Sequence, residues 1–351
     1  MKVGILTFHN IPNYGAALQA VALCNAVSKL GIECEIIDYK CENIIKRELV
    51  PQKFPNPLKT FKYRYVFWPR EQKRIKGFWN FMDEVSNISE NIYTQENIGE
   101  TNEVYSCFIT GSDQIWNLKI TNNDLNYFLK FVDDDKKKVA VGSSAGEKWP
   151  IEKRGQVSKL LERFNAIGCR EKDVKQLICE LGIDAQWVCD PTMLLTTEEW
   201  RNMIIEPSVK EYVFVYYPNA ALLEAAHKYA KKRGLTVMVL NIAKLKTGEK
   251  NIYPNSPAEW MGIIANAEAI FTDSYHGLLF SLYFNKPVWT TCMSNRQKSV
   301  IEKLNLSNVM LNEDINLENE INYKEINQNM SIFRNETIEF LKNVFFEQRG
   351  Q

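Results

Sequence analysis

The feature that most constrains the fold of this chain is a regular alternation of short apolar runs and helical patterns. Residues 3–8 form an apolar run of strand length, residues 16–30 have the composition of a helix, and residues 34–39 are strand-like again. The same alternation returns between residues 212 and 304. Strands that alternate with helices predict parallel, doubly wound sheets, so we expect an α/β fold of two Rossmann-like domains.

The length of the chain indicates its domain organisation. Its 351 residues suffice for two domains of about 150 residues each. We predict an N-terminal domain over residues 1–190, with an insertion at about 41–100 that breaks the alternation, and a C-terminal domain over residues 191–325. A last helix within residues 326–351 is expected to pack back on the first domain. Two such domains would face each other across a cleft.

Composition and charge exclude several classes of protein. The formal net charge is zero, which argues against a chain that holds nucleic acid by bulk charge. No apolar stretch approaches the roughly 20 residues needed to cross a bilayer, and the first residues enter a strand without a signal-peptide pattern. The eight cysteines include no C-x-x-C pair, which indicates reduced thiols. We therefore expect a cytoplasmic protein.

One turn carries the most chemistry. A buried strand, 269–272, is predicted to lead into a helix that includes Gly277, and the turn before it contains Asp273, Ser274 and His276. Ligands bind at this end of a parallel strand, because the next helix directs its unpaired N–H groups and positive dipole end there. An imidazole beside such an anion site suits proton transfer on a phosphorylated substrate, and Gly277 would let the substrate approach the backbone. For this stretch alone, the alternative of a helix cap and a buried histidine is favoured.

Other stretches also place polar residues and glycines at the ends of inferred strands. They are NIPNYG at 10–15, GSDQ at 111–114, GSSAG at 142–146, CREK at 169–172 and DPT at 190–192. Together with the His276 turn, and in this order along residues 2–304, these stretches resemble the polysaccharide pyruvyl transferase family. One departure is Ala145, which stands where the family commonly has phenylalanine and which bears on the shape of the acceptor pocket.

The resemblance implies a GT-B arrangement and a transferase activity. The family moves pyruvate from phosphoenolpyruvate onto two hydroxyls of a sugar, which gives a cyclic ketal during the synthesis of surface or capsular polysaccharide. Phosphoenolpyruvate would be the donor substrate, and neither a metal nor another cofactor is expected. A sugar of a lipid-linked oligosaccharide is one acceptor that fits, and no nucleic acid partner is expected.

The resemblance also assigns roles to individual residues. His276 would be the general acid/base, Arg170 the main clamp for the phosphoenolpyruvate anion, and Asp113 a second candidate for deprotonating a sugar hydroxyl. The further substrate-binding candidates are Asn10, Asn13, Tyr14, Gly15, Ser112, Gln114, Ser144, Ser274, Gly277 and Arg296. Those in the first domain would contact the acceptor, and those in the second would contact phosphoenolpyruvate.

For several of these residues the sequence leaves a structural alternative open. Arg170 could pair with a neighbouring acid, and Asn13 could cap a helix in which Gly15 serves only close packing. Trp116 could stack on a sugar ring or lie in the core. Arg296 could open a surface helix.

A basic and aromatic segment lies inside the predicted insertion. Residues 58–81 interleave eight aromatic with seven basic residues and one acid, which gives a local charge of +6. One hypothesis is peripheral contact with the anionic inner surface of the membrane, or binding of a pyrophosphate-linked acceptor. The alternative, helices whose aromatics face the core while the cations stay in water, is favoured.

Two competing functions stay open on the sequence. A GT-B glycosyltransferase that uses a nucleotide sugar would share the architecture, although no Glu-x₇-Glu pair surrounds the His276 turn. A carbohydrate-binding protein that has lost catalysis is the other.

Overall fold

The computed structural model describes residues 1–240, 249–292, 294–311, 317 and 321–346. The chain forms two compact units. The first unit consists of Met1–Leu195 and the chain from Phe333 onward, and the second consists of Thr196–Ile332. The end of the predicted C-terminal segment, 347–351, lies outside the described residues.

Each unit is built on one parallel sheet. The first sheet contains β1 (Lys2–Leu6), β2 (Glu33–Tyr39), β3 (Ile88–Tyr93), β4 (Cys107–Thr110), β5 (Lys137–Ser143), β6 (Ala166–Cys169) and β7 (Gln186–Trp187). The second contains β8 (Tyr212–Tyr216), β9 (Thr236–Leu240), β10 (Lys250–Asn251), β11 (Ala269–Thr272) and β12 (Val288–Trp289). The strand orders are β3-β2-β1-β4-β5-β6-β7 and β10-β9-β8-β11-β12. In each sheet the order reverses once, between β1 and β4 and between β8 and β11, and ligands of doubly wound sheets bind at such points.

Helices connect the strands in both units. Those of the first unit are α1 (Tyr14–Lys29), α2 (Glu42–Glu48), α3 (Pro57–Lys62), α4 (Trp68–Val85), α5 (Leu118–Thr121), α6 (Ile151–Leu161) and α7 (Lys172–Cys179). They are followed by α8 (Thr197–Arg201), α9 (Ala220–Arg233), α10 (Pro257–Asn266), α11 (Tyr275–Tyr283), α12 (Asn295–Leu304) and α13 (Tyr323–Phe346). Short 3₁₀ turns cover Ile98–Glu103, Leu125–Phe128, Pro191–Leu194 and Ser307–Val309. None of the helices in the described ranges combines the length and hydropathy needed to span a bilayer.

The burial of the central strands follows from their composition. Every residue of β4, β8 and β11 is buried, as expected for apolar strands that carry helices on both faces of a parallel sheet. The edge strand β3 has a mixed pattern instead, with Ile88 half-buried, Ser89 and Tyr93 buried and the residues between them exposed. Because of this pattern, β3 cannot be predicted from the hydrophobic alternation, and it lies within the predicted insertion at about 41–100.

The basic and aromatic segment divides into two parts. In α4 the side chains of Ile75, Phe78, Phe81 and Met82 are buried against the first unit. In contrast, α3 and the π-helical turn Tyr63–Phe67 that joins it to α4 contain no buried residue. The expectation that the aromatic residues face the core is therefore met only in the second half of the segment.

The last helix continues into the first unit. The ring of Phe333 packs edge-on against Trp187, with 5.7 Å between ring centroids. Further along α13, Thr337 Oγ1 accepts a hydrogen bond from the Cys189 backbone N–H at 2.9 Å. These contacts attach α13 to the segment that follows β6.

Candidate functional site

In the first unit a buried ion cluster surrounds Arg170, which directly follows β6. Its Nη1 donates to Asp190 Oδ2 at 2.8 Å and to Ser112 Oγ at 3.0 Å. Its Nε donates to Glu171 Oε1 at 2.9 Å, and its Nη2 donates to Asp113 Oδ1 at 3.3 Å. The side chain is completely buried. One guanidinium thus holds three carboxylates from the ends of three strands.

This arrangement is the alternative in which Arg170 pairs with neighbouring acids of the protein. The guanidinium donates from all three of its nitrogens to protein acceptors, and the surrounding carboxylates outnumber it, so a phosphate would meet negative charge there. The structure therefore places Arg170 as an internal ion pair and not at a surface that an anion can reach.

The cluster continues into a neutral hydrogen-bond network. Asp190 Oδ1 accepts from the backbone N–H and the hydroxyl of Thr192, at 3.0 and 2.7 Å. The Ser112 backbone N–H donates to Gln19 Oε1 at 3.1 Å, and Gln19 Nε2 donates to Thr7 Oγ1 at 2.9 Å. All of these residues are buried. Ser112, predicted to contact the acceptor, therefore belongs to the interior of the unit.

The loops after β4 and β5 pack against each other. Asp113 has a left-handed backbone, with φ of 69°, and its carbonyl accepts from the Ser144 backbone N–H at 3.1 Å. Gly146 also has a positive φ, and a Cβ there would lie 2.2 Å from Gln114 Oε1. Only glycine fits this contact without displacing Gln114. The structure thus brings the predicted residues Asp113, Gln114 and Ser144 together.

Two side chains of these loops are not accessible. Trp116 is completely buried and stacks on Phe128, with 5.5 Å between ring centroids and an interplanar angle of 10°. Of the two alternatives left open for Trp116, a sugar contact or a core position, the structure shows the core position. Ser144 is completely buried as well, and its Oγ accepts from the Gly146 backbone N–H at 3.1 Å.

The loop after β1 is largely a helix start. Asn13 caps α1, since its Oδ1 accepts from the Ala16 backbone N–H at 3.3 Å. Tyr14 is buried against Phe78, with 5.0 Å between ring centroids, and Gly15 is buried within α1. Asn10 differs from these residues, because it lines a cavity beside His9.

In the second unit, Asp273 joins three strand-end loops. Its Oδ1 accepts from Thr290 Oγ1 at 2.9 Å and from the Thr291 backbone N–H at 2.8 Å. Its Oδ2 accepts from Asn219 Nδ2 and from Thr291 Oγ1, both at 2.6 Å. The partners Asn219, Thr290 and Thr291 were not predicted, although each follows a strand as the recognised residues do.

His276 lies on the first turn of α11. The cap of this helix is Ser274, whose Oγ accepts from the Gly277 backbone N–H at 3.1 Å. His276 is 7% exposed, and its ring meets the edge of Tyr275, with 5.1 Å between centroids. The Arg296 guanidinium lies over the same Tyr275 ring, 5.7 Å from its centroid. The structure thus gathers the predicted acid/base and a predicted anion-binding arginine around one aromatic ring.

His276 and Arg296 both lie at helix N-termini, those of α11 and α12. Arg296 lies on the first turn of α12, where Ser294 and Gln297 form a reciprocal capping box. His276 occupies the equivalent first turn of α11. Backbone N–H groups and the positive dipole ends of helices favour anions. The His276 turn therefore has the electrostatic character of an anion site.

Gly277 has a packing role that differs from the predicted one. A Cβ at this position would lie 2.7 Å from Thr272 Oγ1 and 3.1 Å from Ser274 Cβ. The space expected for a substrate beside the glycine is filled by Thr272. Gly277 allows α11 to start close against the end of β11.

No metal-binding group is apparent in the described part of the chain. Within those residues no set of three or more His, Cys, Asp or Glu side chains is arranged to hold a metal ion.

Comparison with solved structures identifies the fold. A Listeria monocytogenes protein described as a UDP-N-acetylglucosamine 2-epimerase has a TM-score of 0.51 and 11% identity, over 100% of this chain and 98% of that chain. The Neisseria meningitidis UDP-GlcNAc 2-epimerase bound to UDP-GlcNAc has a TM-score of 0.47 and 11% identity, over 99% and 95%. The E. coli ADP-heptose heptosyltransferase II has a TM-score of 0.39 and 12% identity, over 96% and 99%. The first likeness confirms the predicted fold class, two Rossmann-like units of the GT-B type.

Sequence comparison gives the family. No match was found among curated proteins. The family model for polysaccharide pyruvyl transferase matches residues 13–291, which is most of the chain and extends from the cap of α1 past the His276 turn. The order of the strand-end motifs predicted this assignment, and the match confirms it: the chain belongs to the polysaccharide pyruvyl transferase family.

Proposed function

We propose that this chain transfers pyruvate from phosphoenolpyruvate onto two hydroxyls of a sugar and forms a cyclic ketal during surface or capsular polysaccharide synthesis. Family membership supports the coarser statement, a transferase that acts on polysaccharide. The observation that carries the finer proposal is the grouping of His276, Tyr275 and Arg296 at the starts of α11 and α12. It combines a proton-transferring group with groups that attract a phosphorylated carboxylic acid.

The reaction adds one proton to carbon and removes two from hydroxyls. Protonation of the methylene carbon of phosphoenolpyruvate creates an oxocarbenium-like centre at the neighbouring carbon, where the first sugar hydroxyl adds and loses its proton. The C–O bond to phosphate then breaks, and phosphate leaves with the electron pair. The second hydroxyl adds to the same carbon and loses its proton. Phosphoenolpyruvate and a diol thus give a ketal and hydrogen phosphate, without oxidation or reduction.

We assign protonation of the methylene carbon to His276, whose imidazole lies on the first turn of α11. Arg296 and the first-turn N–H groups would hold the phosphate and carboxylate. Asp113 stays our candidate for deprotonating a sugar hydroxyl, because its side chain is 12% exposed while those of Arg170 and Asp190 are completely buried. Arg170 would then position Asp113 through their ion pair.

The experiment is a transfer assay on the full chain with phosphoenolpyruvate and a series of lipid-linked and free oligosaccharide acceptors. We expect phosphate release that depends on the acceptor, and a product whose mass corresponds to an added pyruvyl ketal. Thermal-shift measurements with phosphoenolpyruvate and with a panel of nucleotide sugars show which kind of donor the chain binds. Stabilisation by a nucleotide sugar alone, together with transfer of its sugar, would replace this proposal with a glycosyltransferase.

We further propose that the enzyme contacts the anionic inner surface of the membrane through α3, the π-helical turn and the start of α4. Four large apolar side chains there, Leu58, Phe61, Tyr65 and Val66, are 61–79% exposed. Exposed cations surround them, namely Lys59, Lys62, Arg64, Arg70, Lys73 and Lys76. Apolar side chains that insert and cations that meet anionic headgroups are the two elements of peripheral membrane binding.

Charge reversal tests this contact. The variant K62E/R64E/R70E/K73E should bind vesicles that contain phosphatidylglycerol at least tenfold more weakly, because each basic residue near such a surface contributes about 1 kcal/mol. The matched control K159E/K228E/K231E/K232E changes the net charge equally, on exposed positions of α6 and α9. Cosedimentation with anionic and with neutral vesicles measures both. Equal binding by the two variants, or binding of the wild type to neutral vesicles alone, would contradict the proposal.

A further inference from the structure

A cavity of about 230 Å³ lies in the first unit, at the carboxyl ends of β1 and β2 and beside α4. Its polar lining comes from His9, Asn10, Asp38, Lys40, Trp79 and Asp83. Apart from Asn10, none of these residues was named as an individual site candidate. The cavity is separate from the buried cluster around Arg170, since the two share no residue.

The charged groups in the cavity are ordered by hydrogen bonds. His9 Nδ1 lies 3.1 Å from the Thr7 carbonyl oxygen, and Nε2 lies 3.1 Å from Asp38 Oδ1. A carbonyl and a carboxylate only accept, so a ring nitrogen bonds either of them as a donor. Lys40 Nζ lies 2.7 Å from the same Asp38 Oδ1. Burial raises the pKa of the Asp38 carboxyl, but the hydrogen bonds from His9 and Lys40 outweigh it and hold that pKa below its ordinary value.

Two polar atoms in this cavity are left for a ligand. The contacts from His9 and Lys40 both go to Asp38 Oδ1 and leave Oδ2 of that carboxylate to accept from a ligand. Asn10 is 9% exposed, and within the same described residues its buried Nδ2 has no hydrogen-bond partner. A buried donor without a partner is energetically costly, so a ligand that accepts from it gains binding energy. The cavity thus offers both an acceptor and a donor.

The walls of the cavity and its charge balance define the ligand. Trp79 is 45% exposed and is fixed by a hydrogen bond from its Nε1 to the Asn10 carbonyl, at 3.2 Å. Met82 and Ile88 add apolar surface. The Lys40 cation and the carboxylates of Asp38 and Asp83 line the same cavity, so the lining carries both signs of charge and does not single out an anion. The volume is below the roughly 300–1,000 Å³ of pockets for drug-sized molecules.

We propose that this cavity binds one neutral sugar ring of the acceptor, with Asp38 and Asn10 on its hydroxyls and Trp79 against its apolar face. A carboxylate, an amide and an exposed indole complement the alternating hydroxyl and C–H groups of a pyranose. The identification of this sugar as the acceptor rests on the proposed function. The binding of a sugar ring in the cavity does not depend on it.

Saturation-transfer NMR with methyl glycosides of glucose, galactose and mannose tests the cavity, on the full chain and without phosphoenolpyruvate. We expect at least one glycoside to bind, and D38N and W79A each to weaken its binding at least tenfold. F346A, which removes an exposed aromatic outside the cavity, should bind as the wild type does. Circular dichroism and thermal melting show whether each variant is folded, and W79A keeps the test valid if D38N does not fold.

The outcomes separate this inference from the proposed function. Absence of glycoside binding by the wild type, or unchanged binding by folded W79A and D38N, overturns the sugar site even where phosphoenolpyruvate is turned over. Binding that is lost in these variants, without any transfer from phosphoenolpyruvate, supports the sugar site and removes the proposed function. If the cavity binds a sugar and the chain also transfers pyruvate, W79A should raise the KM for the acceptor and leave the KM for phosphoenolpyruvate unchanged.

Discussion

Replacement of His276 by alanine should lower kcat for acceptor-dependent phosphate release by about 10²–10⁴-fold, the usual loss when a general acid/base is removed. The ring lies on the first turn of α11, beside the Tyr275 ring that Arg296 covers. Steady-state kinetics with varied phosphoenolpyruvate would measure the effect. Because the proton reaches carbon only in the transition state, kcat should fall much more than KM changes.

A matched control is available on the protein surface. His227 is exposed and pairs with Glu249, with 2.7 Å between His227 Nε2 and Glu249 Oε1. His227→Ala should leave kcat unchanged. Arg296→Ala should mainly raise the KM for phosphoenolpyruvate, since it removes charge that holds the ground state and the transition state alike. Retention of most of the turnover by a folded His276→Ala variant would contradict the proposed acid/base role.

Replacement of Arg170 by methionine should destabilise the first unit by about 3–5 kcal/mol. The variant keeps side-chain volume but leaves Asp113, Glu171 and Asp190 without their shared cation. Urea titration followed by tryptophan fluorescence would measure the loss. Arg47→Met is the control, because its pair with Glu48 is partly exposed and such pairs contribute at most about 1 kcal/mol.

A second variant distinguishes charge from packing at Arg170. In Arg170→Met, the further change Glu171→Gln removes one of the uncompensated carboxylates and should recover part of the lost stability. The sequence-based assignment of Arg170 as the phosphoenolpyruvate clamp predicts the opposite pattern. If Arg170 were that clamp, the Arg170→Met variant would unfold at the same urea concentration as the wild type and would bind phosphoenolpyruvate more weakly.

Much of the fold could be predicted because hydrophobic pattern and strand-end chemistry are local. The predicted strands at 34–39 and 269–272 correspond to β2 and β11, and the predicted helix at 16–30 corresponds to α1. Strand β3 was missed because its solvent face interrupts the apolar pattern, and an edge strand needs only one buried face.

The site was harder to predict than the fold. Polar residues at strand ends were recognised at their correct positions, but the sequence does not reveal whether each one meets a ligand or another side chain. Arg170 meets three carboxylates, Trp116 meets the core, and Thr272 fills the space beside Gly277. Asp190 and Asp113 lie 20 and 57 residues from Arg170 along the chain, so only the tertiary structure shows such contacts.

The four hydrogen bonds to Asp273 have a consequence for how a substrate would be received. They lock the ends of β8, β11 and β12 together when the second unit folds, before any ligand arrives. The floor beneath the starts of α11 and α12 is therefore preorganised. Little conformational entropy is left to lose on binding, and the dipoles need no reorientation as charge develops during the reaction.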